Sequence, residues 1–363
     1  MTSVYIHIPF CHNICSYCDF CKFYYNEKLV NDYLDNLYNE VKTRYKHDLV
    51  KTIYIGGGTP SCLSKKQLNK LFNIIDIFNK DSLLEFTFEC NIEDINEELL
   101  ILLKNNGVNR LSIGVQSFNQ KLLKLLGRKY DINCIDKIKL CKKYMNVNID
   151  LIYAIPGETL MDLEKDLDIL LALDVDHISC YSLIIEEHTK LYIDGISNIS
   201  DELDYSMYQL INNRLNNYNH YEISNYAKNG KESIHNLTYW NNDHYYGFGL
   251  GSSGYIDNIR YDNTRSINNY FKGNYIYKQN KLDINEIIEN EFILGFRKLK
   301  GINKKDFFDK YHMKMEDIDV IKKLLDKKCL KEDEDNIYIP SHLLYTSNDI
   351  LVKFLGVKYK NIV

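Results

Sequence analysis

The sequence predicts an α/β fold: a partial (β/α)6 TIM-like barrel followed by a smaller, mainly helical C-terminal domain. Three observations predict it. Short runs rich in β-branched and aromatic residues recur along the first half of the chain, with amphipathic stretches between them. Strand alternating with helix implies parallel pairing through right-handed crossovers. Several runs also end in residues suited to chemistry: GGGTP after the second, Glu89-Cys90-Asn91 after the third, Gln116-Ser117 after the fourth. In a βα barrel the carboxyl ends of the strands form the reactive face. An open doubly wound sheet is the competing architecture.

The strands are expected at about 3–8 (SVYIHI), 51–56 (KTIYIG), 84–90 (LEFTFEC), 110–116 (RLSIGVQ), 147–154 (VNIDLIYA) and 177–184 (HISCYSLI). Helical patterns fall between them at 27–46, 64–79, 94–106, 119–126 with 132–144, and 159–172. Leu99, Leu100 and Leu103 trace an apolar face that stops at Gly107. After about residue 220 the rhythm changes. Residues 221–260, rich in Tyr, Asn and Gly, read as turns, loops and short strands. Helices are expected again at 284–299, 303–310 and 316–329, then a hairpin at 329–340 and a last helix near 347–355. We expect a barrel domain at 1–220 and a second region at 221–363 with a winged-helix-like tail. The tail's mixed charges favour packing over DNA binding.

The chain has 363 residues, 45% hydrophobic and 26% charged, which describes a globular protein with a sizeable core. A net charge of −5 supplies no bulk basic field for nucleic acid or anionic lipid. The start, MTSVYIHIPFCH, has no basic region followed by a long apolar run, and no segment approaches about 18 uninterrupted apolar residues. The expectation is a cytoplasmic protein without a membrane span. Ten cysteines in that compartment are not expected to form disulfides. Cys62, Cys90, Cys134, Cys141, Cys180 and Cys329, scattered singly among apolar residues, read as small buried hydrophobes.

Cys11, Cys15 and Cys18 differ. A structural zinc site wants four ligands, usually in two separated pairs, and no second pair follows here. A cuboidal iron–sulfur cluster takes four cysteines when fully ligated. Three would leave one iron without a protein ligand and therefore open to a substrate or cofactor.

These spacings, in YIHIPFCHNICSYCDF, resemble the signature of the radical S-adenosylmethionine (SAM) superfamily. The resemblance implies a 4Fe–4S cluster on Cys11, Cys15 and Cys18, with SAM chelated at the unique iron and cleaved to a deoxyadenosyl radical. Cys21 is expected to be a bystander. GGGTPS, EFTFECN, RLSIGVQSFN, LGRKY, NIDLIYAIPGET, ISCYSLIIEEHT, YEISNYAKNG and HNLTYW follow in order. Together they resemble the oxygen-independent coproporphyrinogen III oxidase family, HemW (heme chaperone) branch, over nearly the whole chain. That resemblance assigns SAM contacts to Tyr5, Tyr17, Gly57, Gly58, Thr59, Glu89, Gln116, Arg128 and Asp150. Some of these match a second SAM site in the oxidase. The chemistry is sensible, since a carboxylate such as Glu89 can accept from a ribose or ammonium and Arg128 can pair a carboxylate. For Glu89 and Asp150 an ion pair or cap at a strand end is the plainer alternative.

Within the family, an oxidase that decarboxylates porphyrin propionates and a heme chaperone compete. Three features favour the chaperone. The oxidase has a fourth cysteine two places after the third, whereas Asp19-Phe20 follow Cys18 here. Only ten residues precede Cys11, so the oxidase's long N-terminal arm is not expected. HNLTYW matches the branch's H-N-x-x-Y-W motif, which implies His235 as a heme ligand with Tyr and Trp stacking nearby. The implied partners are heme and heme-acceptor proteins, respiratory-chain cytochromes among them, with a homodimer left open. Two departures stand out: Tyr130 where the family commonly has His, and EEHT at Glu186–Thr189 for Glu-Pro-Gly-Thr. A radical enzyme acting on RNA or a peptide would need a basic surface or an added domain.

Overall fold

The computed structural model describes residues 1–129 and 131–359, so the departure at Tyr130 lies outside the described residues. β1 (Thr2–Ile8), β2 (Val50–Gly57), β3 (Glu85–Asn91), β4 (Arg110–Gln116), β5 (Asn146–Tyr153) and β6 (His177–Ser182) stand side by side in that order. Each is parallel to the next. A doubly wound sheet reverses its strand order at the crevice where it binds ligands. These six run in sequence without a reversal, which is the order of a partial barrel.

Alternation along each strand decides what each face carries. Val4, Ile6, Ile53, Ile55, Phe86, Phe88, Leu111, Ile113, Val147 and Ile149 are buried in the main apolar core, beneath the helices. The opposite set is polar: Ser3, Tyr5 and His7; Thr52 and Tyr54; Glu85, Thr87 and Glu89; Arg110 and Ser112; Asn148 and Asp150; His177 and Ser179. Their side chains bond to one another across the inner face, as Tyr54 does to Glu89 and Asn148 to Ser112 and Asp150. The barrel's inside is therefore a hydrogen-bonded lumen.

The sheet continues past both ends of the barrel. Beyond β6 lie β7 (Asn219–Glu222) and β8 (Asn225–Ala227), antiparallel. Beyond β1 lie β9 (Tyr245–Phe248), parallel to it, and an antiparallel meander of β10 (Ser253–Ile256), β11 (Ile259–Asn263) and β12 (Ile276–Lys281). All six residues of β12 are exposed. Two large apolar cores result among the described residues, one spanning Val4 to Tyr270 and the other confined to Ile288–Tyr359, with a small third cluster of Leu122, Leu126, Ile152, Ile155, Leu183 and Leu191. The compositional change near residue 220 thus precedes the division between the cores. The second core packs helices Ile284–Gly295, Lys304–Tyr311 and Asp319–Asp326 with a three-stranded antiparallel sheet.

Helices at Asp201–Arg214 and Ile234–Trp240, and strand β12, were not expected from sequence. Among the scattered cysteines, Cys62, Cys90, Cys134, Cys141 and Cys180 are buried, whereas Cys329 is only half-buried, beside the tail core. Among the described residues no helix is long and apolar enough to cross a membrane.

One buried carboxylate ties the meander to the barrel. Glu40, on the helix Glu27–Arg44, pairs with Arg44 and accepts from Gly249 N, Tyr270 Oη and Asn263 Nδ2. Burial pushes its carboxyl above the ordinary range, opposed by Arg44. Removing it leaves those donors and a cation without their acceptor. Glu40→Ala should cost about 3 kcal/mol of unfolding free energy, read from urea denaturation, whereas an exposed control such as Glu98→Ala should cost little.

Candidate functional site

The cysteine loop leaves the end of β1 and returns through a two-residue parallel pairing, Phe10–Cys11 against Phe23–Tyr24. Its turn docks on the segment after β4: Ser16 N donates to Leu126 O at 2.9 Å and Asn13 Nδ2 to Gly127 O at 2.6 Å. Gly127 has φ +71°, and a Cβ there would stand 2.6 Å from Ser16 Oγ, so glycine is required for the approach.

Arg128 follows at once and joins three elements. Its guanidinium donates to Cys15 Sγ (3.4 Å), to Asn91 Oδ1 at the end of β3 (2.9 Å) and to Gly114 O in β4 (2.5 Å). Asn91 Nδ2 in turn donates to Thr59 Oγ1 (3.1 Å), whose hydroxyl donates to Cys11 Sγ (3.4 Å). Cys11, Cys15 and Cys18 lie near enough to affect one another electrostatically, and burial pushes Cys11 up to about 11 and Cys18 upward too. Metal binding must therefore displace protons from these thiols.

Cys21 stands apart. It lies against Gly251 and the cation of Arg265, and its carbonyl accepts from His7 Nε2 at 2.8 Å. That bond fixes the His7 tautomer. Burial lowers the ring to about 4, so it is neutral; Nε2 carries the proton and Nδ1 accepts from Tyr5 Oη at 2.9 Å.

The other expected SAM contacts gather at the same end of the barrel. Gly57 (φ +111°) lies over His7, where a Cβ would come within 2.3 Å of the ring. Its N–H donates to Glu89 Oε2 (2.9 Å), and Tyr54 Oη donates to Oε1 (2.7 Å). A Cβ on Gly58 would collide with the backbone of Ile8 and Phe10. Gln116 ends β4 with φ +71°, a left-handed conformation rare outside glycine. Tyr17 is half-buried beside Cys15 and Arg128. Asp150 accepts from Asn148 Nδ2 (2.8 Å) and Ser112 Oγ (3.3 Å) further down the lumen. Glu89 and Asp150 are both half-buried on the inner face, and neither forms an ion pair among the described residues; Glu89 does cap the end of β2 through the Gly57 N–H, so for it the plainer alternative of a strand-end cap stands beside the SAM contact. At EEHT, His188 takes φ +70°, the left-handed conformation that a glycine would adopt freely.

His235 is elsewhere. Its helix, Ile234–Trp240, sits at the end where the strands begin, its first turn held by Glu85, the first residue of β3. Glu85 accepts from Ile234 N (2.9 Å), His235 N (3.0 Å) and Ser233 Oγ (3.3 Å). The imidazole is buried, packs on Tyr54 with centroids 5.1 Å apart, and has both nitrogens engaged. The expected heme ligand is thus held inside the fold in this structure, with neither nitrogen open. Tyr239 meets the ring edge-on, and Trp240 lies under Arg297 with its indole N–H buried and, among the described residues, unpartnered.

A profile of the radical SAM superfamily matches residues 5–170. The chain is 38% identical to the heme chaperone HemW of Lactococcus lactis subsp. lactis (strain IL1403), covering 97% of both chains. It is also 38% identical to that of Bacillus subtilis (strain 168), covering 98% of this chain and 100% of the relative. The chain belongs to the HemW family. Among solved structures, Escherichia coli coproporphyrinogen III oxidase (HemN), a radical SAM enzyme, superposes with a TM-score of 0.85 over 98% of this chain and 90% of its own, at 21% identity. That similarity establishes the shared fold.

HemW membership in this superfamily implies a 4Fe–4S cluster and SAM, and the residues present suit a cluster. Among the described residues no three His, Cys, Asp or Glu side chains converge as they would on one metal ion. Three thiols on a single short loop, with Arg128 and Thr59 directed at their sulfurs, suit an anionic cluster that spreads its ligands over separate irons. Sequence reasoning gave no role to Asn91, which links Arg128 to Thr59, nor to Tyr54, which spans the lumen between Glu89 and His235. Asn91 was visible only as a polar strand end.

Burial raises the Glu89 carboxyl from its ordinary 4.5 to about 7, opposed by the Tyr54 hydroxyl. The folded state thus retains a proton that the unfolded chain releases. The resulting stabilisation is complete below about pH 4.5 and lost as pH rises through about 7. Glu89→Gln does not titrate, so its stability relative to wild type should improve between about pH 5 and pH 8. Parallel urea-midpoint curves would show an ordinary carboxyl instead.

Proposed function

We propose that this chain takes up heme and passes it to acceptor proteins, with a 4Fe–4S cluster on Cys11, Cys15 and Cys18 and SAM bound at the cysteine end of the barrel. Such a cluster, when bound, supplies one-electron chemistry toward SAM. The protein's own part there is positional. Arg128 and Thr59 orient the sulfurs, Gly57 and Gly58 keep the strand end free of side chains, and Glu89, carried by Tyr54, offers an acceptor. We place the protein in the cytoplasm, with heme proteins such as respiratory-chain cytochromes as acceptors.

The observation that carries the heme reading is the state of His235. Thr52 Oγ1 donates to Ser3 Oγ, so it accepts from His235 Nδ1–H at 2.7 Å. Nε2 is then the bare nitrogen, and it accepts from Tyr239 Oη at 2.8 Å. Burial lowers the ring to about 3, which keeps it neutral. A neutral imidazole whose far N–H is held by a hydroxyl is the form that ligates iron. The Tyr239 hydroxyl occupies the lone pair, and the ring itself is buried against Tyr54. Uptake therefore requires the helix Ile234–Trp240 to lift or Tyr239 to swing aside.

Offered both compounds under anaerobic reconstitution, the protein should take up heme and leave coproporphyrinogen III unchanged; turnover to protoporphyrinogen would favour the oxidase. Tyr239→Phe should tighten heme binding about fivefold by uncovering Nε2, while His235→Ala should weaken it, both read from the heme absorption band. Serine in place of Cys11, Cys15 or Cys18 should abolish iron and sulfide loading, whereas Cys21→Ser should retain it.

A further inference from the structure

Arg110 opens β4 at the end of the barrel opposite the cysteines. Its side chain lies on the inner face, 5% exposed, yet among the described residues its guanidinium makes no hydrogen bond or ion pair. Arg44 and Arg128, by contrast, are engaged. Glu89 and Asp150 lie near enough to feel its charge, but no acceptor bonds it among the described residues, and a buried guanidinium without an acceptor calls for water or an anion.

A cavity of about 140 Å³ adjoins it, lined by Glu85, Arg110, Asn146, His177, Lys231 and Ile234 among others. Most of these groups are already occupied. Glu85 holds the helix carrying His235. His177 bonds Asn148 and Tyr221 through its two nitrogens. Lys231 donates to Asn146 Oδ1 at 2.7 Å. Two further acids on the wall, Asp176 and Glu232, accept from Val147 N and Asn219 Nδ2. Unengaged in hydrogen bonds among the described residues are the Arg110 fork, the Asn146 amide N–H and one oxygen each of the half-buried Asp176 and Glu232. Of these the Arg110 fork alone belongs to a fully buried side chain, and it adjoins a space larger than the roughly 30 Å³ that one water takes in the liquid.

We propose that this cavity binds a carboxylate, received by the guanidinium of Arg110 with the Asn146 amide beside it. A planar guanidinium matches a carboxylate in two parallel hydrogen bonds, which an ammonium cannot reproduce. The inference rests on the heme reading only for its preferred source: heme carries propionate carboxylates, and Ile234 on the cavity wall precedes His235. A small free carboxylate presents the same chemistry.

The test uses the full chain and its Arg110→Gln and Arg110→Lys variants, each checked for unchanged far-ultraviolet circular dichroism. Propionate is titrated and followed by saturation-transfer NMR; heme and heme dimethyl ester are titrated by absorbance. Saturable propionate binding is expected in wild type, weakened about tenfold or more by Arg110→Gln and not restored by lysine. If the ester binds wild type more weakly than heme, and the difference disappears in Arg110→Gln, the source is a propionate. Equal binding of heme and ester, with propionate still dependent on Arg110, makes the source a free carboxylate. Propionate binding that is absent, or indifferent to Arg110, overturns the site whatever heme does. Arg110-dependent propionate binding in a protein that takes up no heme would uphold the site and defeat the heme reading.

Discussion

The three bonds of Arg128 are the constraint on which the cysteine end depends. A loop carrying several thiols and one short strand pairing has little apolar surface with which to define its own position. One guanidinium, anchored to the backbone of β4 and to Asn91 on β3, fixes Cys15 relative to the strand ends. Asn91 passes the same constraint through Thr59 to Cys11. The planar fork matters because one of its nitrogens, Nη2, holds both strands while the other, Nη1, reaches the Cys15 sulfur.

The parallel strands were legible because each carries an apolar residue at every second place, bounded by turn residues, and their ends fall within about two residues of expectation. What lay between the apolar positions was harder to interpret. Strands of a parallel sheet ordinarily read as near-continuous apolar runs, since both faces are covered. Here Thr52, Tyr54, Glu85, Glu89, Arg110, Asn148, Asp150 and His177 interrupt that pattern, and only the register between strands shows that they meet. A polar lumen is a property of six strands together, so no single segment displays it.

The helix bearing His235 was illegible for a different reason. IHNLTYW is short and poor in strong helix formers, and by propensity it reads as a turn. It forms because Ser233 caps it and Glu85, some 150 positions earlier, accepts its first N–H groups. The motif points to His235 itself. It carried no information about Thr52 and Tyr239, whose hydroxyls set the imidazole's tautomer and cover its lone pair. Tyr54 then places the two ends in contact, its hydroxyl on Glu89 and its ring on His235.

Because the barrel never closes, the twelve-stranded sheet retains a free margin at β12, where the outward N–H and C=O groups of the backbone face solvent. Such a margin invites strand addition from a neighbouring molecule and, with it, insoluble assemblies. The composition of Ile276–Lys281 works against that outcome: Lys278, Gln279, Asn280 and Lys281 place two ammonium groups and two amides along six residues. Like charges would confront each other if two copies aligned there, so the same residues that complete the meander also discourage aggregation at the exposed rim.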